Sequence, residues 1–119
     1  MSDFQTESTP TARKVHSCGE CHGHIKSGQK YQLISGSWDG DMGSFKTCMP
    51  CVEARTWATA QSEWAADGEH LYYFGRLEED LSELAPEIIT QDGRRFRAYR
   101  LQHLMAIRRL AAKEQREPA

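Results

Sequence analysis

The chain has 119 residues and a mass of 13.6 kDa, the size of one compact domain or of a small domain with a helical extension. Hydrophobic residues make up 39% and charged residues 27%, a balance that excludes intrinsic disorder. Mean hydropathy is −0.70 and no apolar run approaches the roughly 18–20 residues of a membrane span, so no membrane partner is expected. Residues 1–14 contain no apolar stretch, so no secretory signal is predicted and the expected location is the cytoplasm.

The net charge of −2 hides an uneven distribution along the chain. Residues 1–52 carry five basic and five acidic side chains, so they are neutral overall. Residues 53–93 carry two basic and ten acidic side chains, and residues 94–119 carry eight basic and two acidic ones. This distribution excludes a uniformly basic nucleic-acid binder. It leaves an acidic middle and a basic C-terminal end as candidate surfaces.

The sequence of the first part of the chain predicts a tail followed by a hairpin. Residues 1–12 are expected to form a flexible tail. The stretch 31–35 is aromatic and β-branched, which favours a strand, and 44–47 is the expected returning strand. Between them Asp39-Gly40 is a strong hairpin turn signal.

A helix is predicted directly after the hairpin. Pro50 suits the first turn of a helix, and the apolar pattern over 54–65 continues it until the stop signal Asp67-Gly68. Cys51 therefore lies in the first helical turn, where the positive end of the helix dipole stabilises a thiolate.

The three tryptophans allow different interpretations. Trp57 and Trp64 are seven residues apart on one face of the predicted helix, which favours core packing. Trp38 lies beside the hairpin turn, as a lid over a small core or as an exposed contact for a partner.

A second helix is predicted over 70–85 and is ended by Pro86. Its apolar positions recur at a spacing of three and four residues: Phe74, Leu77, Leu81 and Leu84. Its other side is acidic, with Glu78, Glu79, Asp80 and Glu83. These acids form a solvated face or a candidate protein-binding face for a basic partner.

A third helix is predicted over about 94–113, with a short strand over 96–99 as an alternative start. Three basic side chains, Arg109, Lys113 and Arg116, fall near one polar side of it. They form a solubilising face or a candidate nucleic-acid face that contacts phosphates.

Two CxxC pairs are the strongest chemical signal in the chain. Cys18 and Cys21 form the first pair, Cys48 and Cys51 the second, and 26 residues separate the pairs. Two such pairs can complete a tetrahedron of thiolates around one ion, which is typical of a structural zinc site. We therefore predict one Zn²⁺ per chain. The order of knuckle, hairpin and helix carrying the second pair predicts an α+β, treble-clef-like zinc finger over 13–67, followed by a helical part over 68–119.

Other uses of the cysteines fit less well. Two disulfides would require an oxidising compartment, and nothing marks an exported chain. Cys18 to His22 reads as the CxxCH of haem attachment, which also requires export and leaves the second pair unexplained. A thioredoxin-like centre needs a βαβ pattern that is absent. Iron shares this ligand set with zinc, and the sequence does not separate the two metals.

The first pair is surrounded by histidines, His16, His22 and His24, any of which could replace a cysteine as ligand. Because four thiolates already saturate a tetrahedral ion, we expect these side chains to pack beside the site or to donate hydrogen bonds. His70 and His103 are expected to be ordinary surface or core residues.

The sequence contains no nucleophile elbow, phosphate-binding loop or dinucleotide fingerprint. A metal saturated by four thiolates also has no open position at which to activate water. We therefore expect a protein that is not an enzyme and has no small-molecule substrate.

The block HSCGECHGHIKSGQKYQLISGSWDGDMGSFKTCMPC resembles small zinc-finger proteins encoded by bacteriophages and prophages. The shared features are the two CxxC pairs, Ile25, Gly28 with Tyr31, and the hairpin residues Gly36, Trp38, Asp39 and Gly40. FGRLEEDL and RAYRLQHLMAIRR look similar in type and extend the resemblance over residues 13–112. The resemblance implies metal binding by the four cysteines and an origin in a phage or mobile element. It implies no established activity.

Two classes of function follow from these observations. The first is a protein-binding accessory protein that acts on a host or phage protein, for example by inhibiting host defence such as a CRISPR complex. The second is a nucleic-acid-binding regulatory zinc finger that uses its basic C-terminal helix. A small stabilising subunit of a phage particle is a third possibility. The acidic segment favours protein binding because it repels DNA.

Overall fold

The computed structural model describes residues 4–38, 40–65 and 74–115. It is an α+β fold, as the sequence predicted, in which the five strands precede the helices in the described residues. In chain order the elements are β1 (Phe4–Ser8), β2 (His16–Ser17), β3 (His24–Ile25), β4 (Tyr31–Trp38), β5 (Asp41–Cys48), α1 (Met49–Thr59), a 3-10 helix (Ser62–Ala65), α2 (Leu77–Glu87) and α3 (Arg94–Gln115).

The predicted hairpin is present, with longer strands than expected. β4 pairs antiparallel with β5 from Trp38 opposite Asp41 down to Tyr31 opposite Cys48. Gly40 has a φ of 85° in the turn, a conformation that favours glycine. The hairpin returns the chain to its starting point, so Cys48 lies beside the segment that carries the first cysteine pair.

The prediction of a flexible tail over 1–12 is wrong for residues 4–12, and residues 1–3 lie outside the described part. β1 adds antiparallel to the free edge of β4, so the sheet order is β1-β4-β5. Thr11 forms an isolated bridge with Lys30, and the Ala12 side chain is buried. Backbone hydrogen bonds to β4 hold the strand FQTES in place. Such bonds do not require an alternating pattern of apolar side chains, so the sequence carries no strand signal here.

The helix after the hairpin is shorter than predicted. Instead of continuing to residue 65, α1 ends at Thr59 and the chain tightens into the 3-10 helix. The backbone N–H of Gln61 bonds to the carbonyl of Ala58, three residues back, while its side-chain amide donates to the carbonyl of Trp57 at 2.7 Å. The predicted stop at Asp67-Gly68 lies outside the described residues.

The second helix begins later than residue 70. Residues 70–73 lie outside the described part, Phe74 and Gly75 form a turn, and α2 starts at Leu77. Gly75 has a φ of 94°, which interrupts any helix that would run through it. Pro86 lies in the last turn, and the helix ends one residue later at Glu87.

The third helix forms as predicted and runs slightly further, to Gln115, so the alternative strand over 96–99 is wrong. It packs against α2, and its buried face joins a single core that also contains the cysteines, α1 and α2. Trp57 and Trp64 pack against this core as predicted, whereas the Trp38 side chain lies outside the described part. The predicted boundary between residues 67 and 68 also lies outside it, and the residues on either side share this one core.

Candidate metal centre

The first cysteine pair lies in a tight turn between the short strands β2 and β3. The N–H of Cys18 donates to the carbonyl of Gly23 at 2.9 Å, and the N–H of His22 donates to the carbonyl of Cys18 at 3.0 Å. His22 adopts a left-handed backbone with φ of 60°. These bonds fold CGECHG back on itself, so the two sulfurs point to the same side.

The second pair is placed by the end of the hairpin and the start of α1. Cys48 is the last residue of β5 and the N-cap of α1, and Cys51 lies in the first helical turn, as predicted. The N–H of Gly19 donates to the carbonyl of Lys46 at 2.8 Å, and this bond ties the first turn to β5. The two pairs therefore meet although 26 residues separate them in the sequence.

All four cysteine sulfurs converge on one point. They lie within 4.8 Å of one another, all four residues are buried, and all are free thiols. The Sγ atoms of Cys21 and Cys48 are 3.8 Å apart. A tetrahedral ion with metal–sulfur bonds of about 2.3 Å would separate neighbouring sulfurs by about 3.8 Å. The cluster therefore fits a thiolate-bound tetrahedral metal ion.

Backbone N–H groups surround the sulfurs. Cys18 Sγ accepts from the N–H groups of Glu20 and Cys48, each at 3.4 Å, and Cys21 Sγ accepts from that of Gly23 at 3.3 Å. Such bonds favour the ionised form of a thiol, which is the form that binds metal. They add to the helix dipole that acts on Cys51.

Arg108 of α3 is a part of the site that the sequence analysis missed. Its Nε donates to Cys21 Sγ at 3.4 Å and its Nη2 donates to Cys51 Sγ at 3.3 Å. Burial alone would lower the pKa of Arg108, but the bonds to these two sulfurs raise it above its ordinary value. The guanidinium thus stays charged and offsets part of the negative charge of four thiolates.

Gly23 lets α3 approach the cysteines closely. A Cβ on this residue would lie 2.9 Å from the Cβ of Arg108 and 3.2 Å from Cys21 Sγ. The helix and the first cysteine turn would then have to move apart, and Arg108 with them.

The four thiols cannot all ionise without a cation between them. Hydrogen bonds from Cys18, then from Cys48 and Cys51, lower the pKa of Cys21, and Arg108 lowers it further. Hydrogen bonds with Cys18, Cys21 and Cys48, followed by burial, raise the pKa of Cys51. The negative charge on one sulfur thus disfavours ionisation of the next, and a divalent cation between them would stabilise all four thiolates.

The nearby histidines lie around the cluster and not in it. Among the described residues, the metal-competent group contains cysteines alone. The His16 ring packs against Tyr31 with 5.3 Å between ring centroids, His22 is exposed and His24 lies in β3. His103 is exposed on α3, and His70 lies outside the described residues.

The two charged faces predicted from the sequence meet inside the fold. Arg109 makes a bidentate ion pair with Glu78, at 2.8 and 2.9 Å, and this pair joins the predicted basic face to the predicted acidic one. Outside these two faces, Arg94 pairs with Glu63 at 2.8 Å and links the basic C-terminal segment to the acidic middle one. Both faces are therefore partly neutralised by each other.

The other residues of the predicted acidic and basic faces differ in their burial and in their partners. Asp80 is buried, Glu79 pairs with Arg76 at 2.9 Å, and Glu83 is exposed. Lys113 is exposed near the end of α3, and Arg116 lies outside the described residues.

Comparisons of the chain with protein-family models, with curated proteins and with solved structures give no match. Among the described helices, none has the length and apolar character needed to cross a membrane.

Proposed function

We propose that this protein is a treble-clef-like zinc finger in which one Zn²⁺ per chain is bound by Cys18, Cys21, Cys48 and Cys51. The observation that carries the proposal is the convergence of four buried free thiols within 4.8 Å. The order of cysteine turn, hairpin and helix supports the treble-clef assignment. Bound zinc would supply cross-linking of these segments, because four thiolates leave it no open position for a substrate.

The zinc has a structural role, and the protein is not an enzyme. The cysteines belong to the same buried core as α1, α2 and α3, so the ion would hold together elements from both halves of the chain. Arg108 would offset the charge of the thiolate cluster, and the backbone N–H groups around the sulfurs would hold the ligands in place.

The protein acts by binding another protein, and the resemblance to phage zinc-finger proteins suggests a host or phage protein, such as a component of host defence. The pairing of Arg109 with Glu78 removes one cation from the proposed phosphate-binding face and one acid from the acidic face, so it weakens both charge arguments equally. Large exposed apolar side chains on α3, such as Phe96 and Leu110, fit a protein partner better than a phosphate backbone.

Two measurements test the proposal. Elemental analysis of the purified chain should give about one zinc per protein, and metal-free protein with intact thiols or disulfides would contradict the zinc assignment. A pull-down from host lysate should then retain the same partner with and without nuclease. Loss of the partner after nuclease treatment would favour the nucleic-acid alternative.

A further inference from the structure

The first half of the chain carries a positive surface that its neutral total charge conceals. Residues 10–17 and 24–31 contain four lysine or arginine side chains and no acidic one. The five acidic residues of 1–52 all lie outside these two segments. All four cations are exposed, and we refer to them as the ribbon patch: Arg13, Lys14, Lys26 and Lys30.

The fold brings the two segments together as one antiparallel ribbon that ends in the first cysteine turn. Thr11 forms a bridge with Lys30, and β2 pairs with β3 nearer to the cysteines. Between these pairings the Ser27 hydroxyl donates to the carbonyl of Arg13 at 3.3 Å. The four cations therefore lie on neighbouring segments of a hydrogen-bonded scaffold.

No carboxylate in the described part of the chain forms an ion pair with the ribbon patch. The ion pairs found there involve Arg76, Arg94 and Arg109. Glu20, the acid between the two segments in the sequence, is buried and accepts hydrogen bonds from backbone N–H groups at the start of α2. The positive charge of the ribbon patch thus remains available to a ligand.

The basic helix α3 differs in this respect. Arg95 donates to backbone carbonyls, Arg108 to cysteine sulfurs and Arg109 to Glu78. A cation bonded in this way must give up its partner before it can contact a phosphate, which costs free energy. The ribbon patch has no such cost, although its segment of the sequence is not the one with the highest positive charge.

The composition of the ribbon patch indicates the chemistry of its ligand. Three of its four members are lysines, and Val15 is the large apolar side chain exposed in these two segments, at 54%. Protein interfaces are depleted in lysine and depend on buried aromatic or arginine anchors. Lysine acts on phosphate as a point charge without a fixed geometry. Charge complementarity therefore favours a nucleic-acid backbone over an acidic protein.

We propose that the ribbon patch binds the phosphate backbone of a nucleic acid without sequence preference. This function goes beyond the metal centre and the protein partner proposed above, and it assigns the nucleic-acid contact to the first half of the chain instead of α3. Exposed acids such as Glu83 and Glu87 disfavour contact through α2, because they repel phosphate.

The test is a salt titration of the full-length, zinc-loaded protein with a fluorescent DNA duplex of about 20 base pairs, from ~20 to ~200 mM salt. For four phosphate contacts, log K should fall against log salt with a slope of about −3.6. A triple variant, Lys14→Gln, Lys26→Gln and Lys30→Gln, should reduce the slope to about −1 and weaken binding at ~50 mM salt by at least about 100-fold. Each single variant should change the slope by about 0.9.

The matched control removes the same charge from exposed positions on α3, through Arg97→Gln, Arg100→Gln and Lys113→Gln. It should keep the wild-type slope and bind within about threefold, because screening limits the effect of distant charges. A second duplex of unrelated sequence should bind wild-type protein equally, since backbone contacts carry no sequence information.

Three results would overturn the proposal. They are a wild type that does not bind at ~20 mM salt, a ribbon variant that binds like the wild type, and an α3 variant that loses as much affinity as the ribbon variant. If DNA does not bind but the ribbon variant loses a protein from the nuclease-treated pull-down, the ribbon patch binds an acidic protein instead. Zinc content and melting temperature of each variant distinguish these results from misfolding. The DNA titration can fail while the zinc assignment and the protein partner both stand.

Discussion

The cysteine-bearing half and the helical half of the molecule are held in different ways. In residues 16–59 consecutive elements follow one another closely: CGECHG closes on itself, β4 and β5 form a hairpin, and α1 follows β5 without a gap, while the bond from Gly19 to Lys46 brings the cysteine turn to β5. The helices α2 and α3 are also connected to this half by two polar side chains, Glu20 and Arg108. The first half brings the four cysteines together, and these two contacts, with the shared core, attach the second half to it.

Glu20 shows how specific this attachment is. It lies between the two cysteines of the first pair and is buried, and its carboxylate accepts hydrogen bonds from the N–H of Gly75 at 3.1 Å and from that of Leu77 at 3.0 Å. Leu77 is the first residue of α2, so its N–H has no partner within the helix, and Gly75 lies just before the N-cap Arg76. The helix dipole also favours a negative charge at this end. The first cysteine turn therefore caps a helix that begins 57 residues later.

If the metal holds both halves together, its loss should have the largest effect of any change. Chelation, or Cys48→Ser, should remove about 10 kcal/mol or more of folding free energy, by analogy with zinc-finger peptides. Since the cysteines share one core with α2 and α3, both halves should lose their tertiary structure together. Near-UV circular dichroism and thermal melting measure this.

A suitable control is Ser44→Ala, an exposed change in β5. A chelated protein that melts like the metal-loaded one would contradict the structural role of the metal. A chelated protein whose helices melt separately and unchanged would show that the two halves are independent.

The features that the sequence predicted are those whose signals lie within a few neighbouring residues. The cluster of four cysteines, the hairpin and α3 have signals within a few residues: paired cysteines, Asp39-Gly40, and a helical period of apolar side chains. Each of these signals is read from neighbouring residues, so the sequence was sufficient to predict them.

The start of α2 and the role of Arg108 have no local signal. Glu20 caps a helix 57 residues away, and Arg108 contacts sulfurs 57 and 87 residues away, so both depend on how the halves pack. β1 was missed for a related reason, because its partner β4 supplies backbone bonds that leave no side-chain pattern. The charge difference between segments was visible, but pairings such as Arg109 with Glu78 require the fold.

The contact through Arg108 should control the metal site more than the fold. Arg108→Gln should lower metal affinity by about 10- to 100-fold, the usual range for loss of a residue that supports metal ligands, because the thiolate charge is then less well offset. Arg108→Lys should recover only part of this, since one ammonium cannot reproduce the fork that reaches two sulfurs.

Competition with a chromophoric chelator measures the affinity, and the rate of thiol alkylation provides a second readout. Arg100→Gln removes an equal charge from an exposed position on the same helix and should leave both values unchanged. Equal effects of the two variants would mean that net charge alone is responsible and would contradict a specific role for Arg108.

The contact through Glu20 should affect α2 and leave metal binding nearly unchanged. Glu20→Ala leaves the N–H groups of Gly75 and Leu77 without their acceptor and should lower the free energy of unfolding by about 2–3 kcal/mol. Hydrogen exchange should be faster at Leu77 in particular. Glu53→Gln, an exposed change on α1, is the control. Normal protection at Leu77 in the Glu20 variant would show that α2 begins without this cap.

The smallest expected effect concerns the ion pair between Glu78 of α2 and Arg109 of α3, which lies within the helical half. Its side chains are 28% and 38% exposed, so solvent screens the pair, and a double-mutant cycle of Glu78→Gln and Arg109→Gln should give a coupling of about 0.5–1 kcal/mol. The hydrogen bonds from Arg109 are the main reason that the pKa of Glu78 lies below its ordinary value. The coupling should therefore be complete above the ordinary pKa of a glutamate and should be lost as the pH falls through the lowered one. Lys113→Gln, an exposed change one turn further along, should show no coupling to Glu78. A zero coupling for Arg109 at neutral pH would leave this side chain available, and phosphate binding by α3 would again become the better interpretation of the basic C-terminal segment.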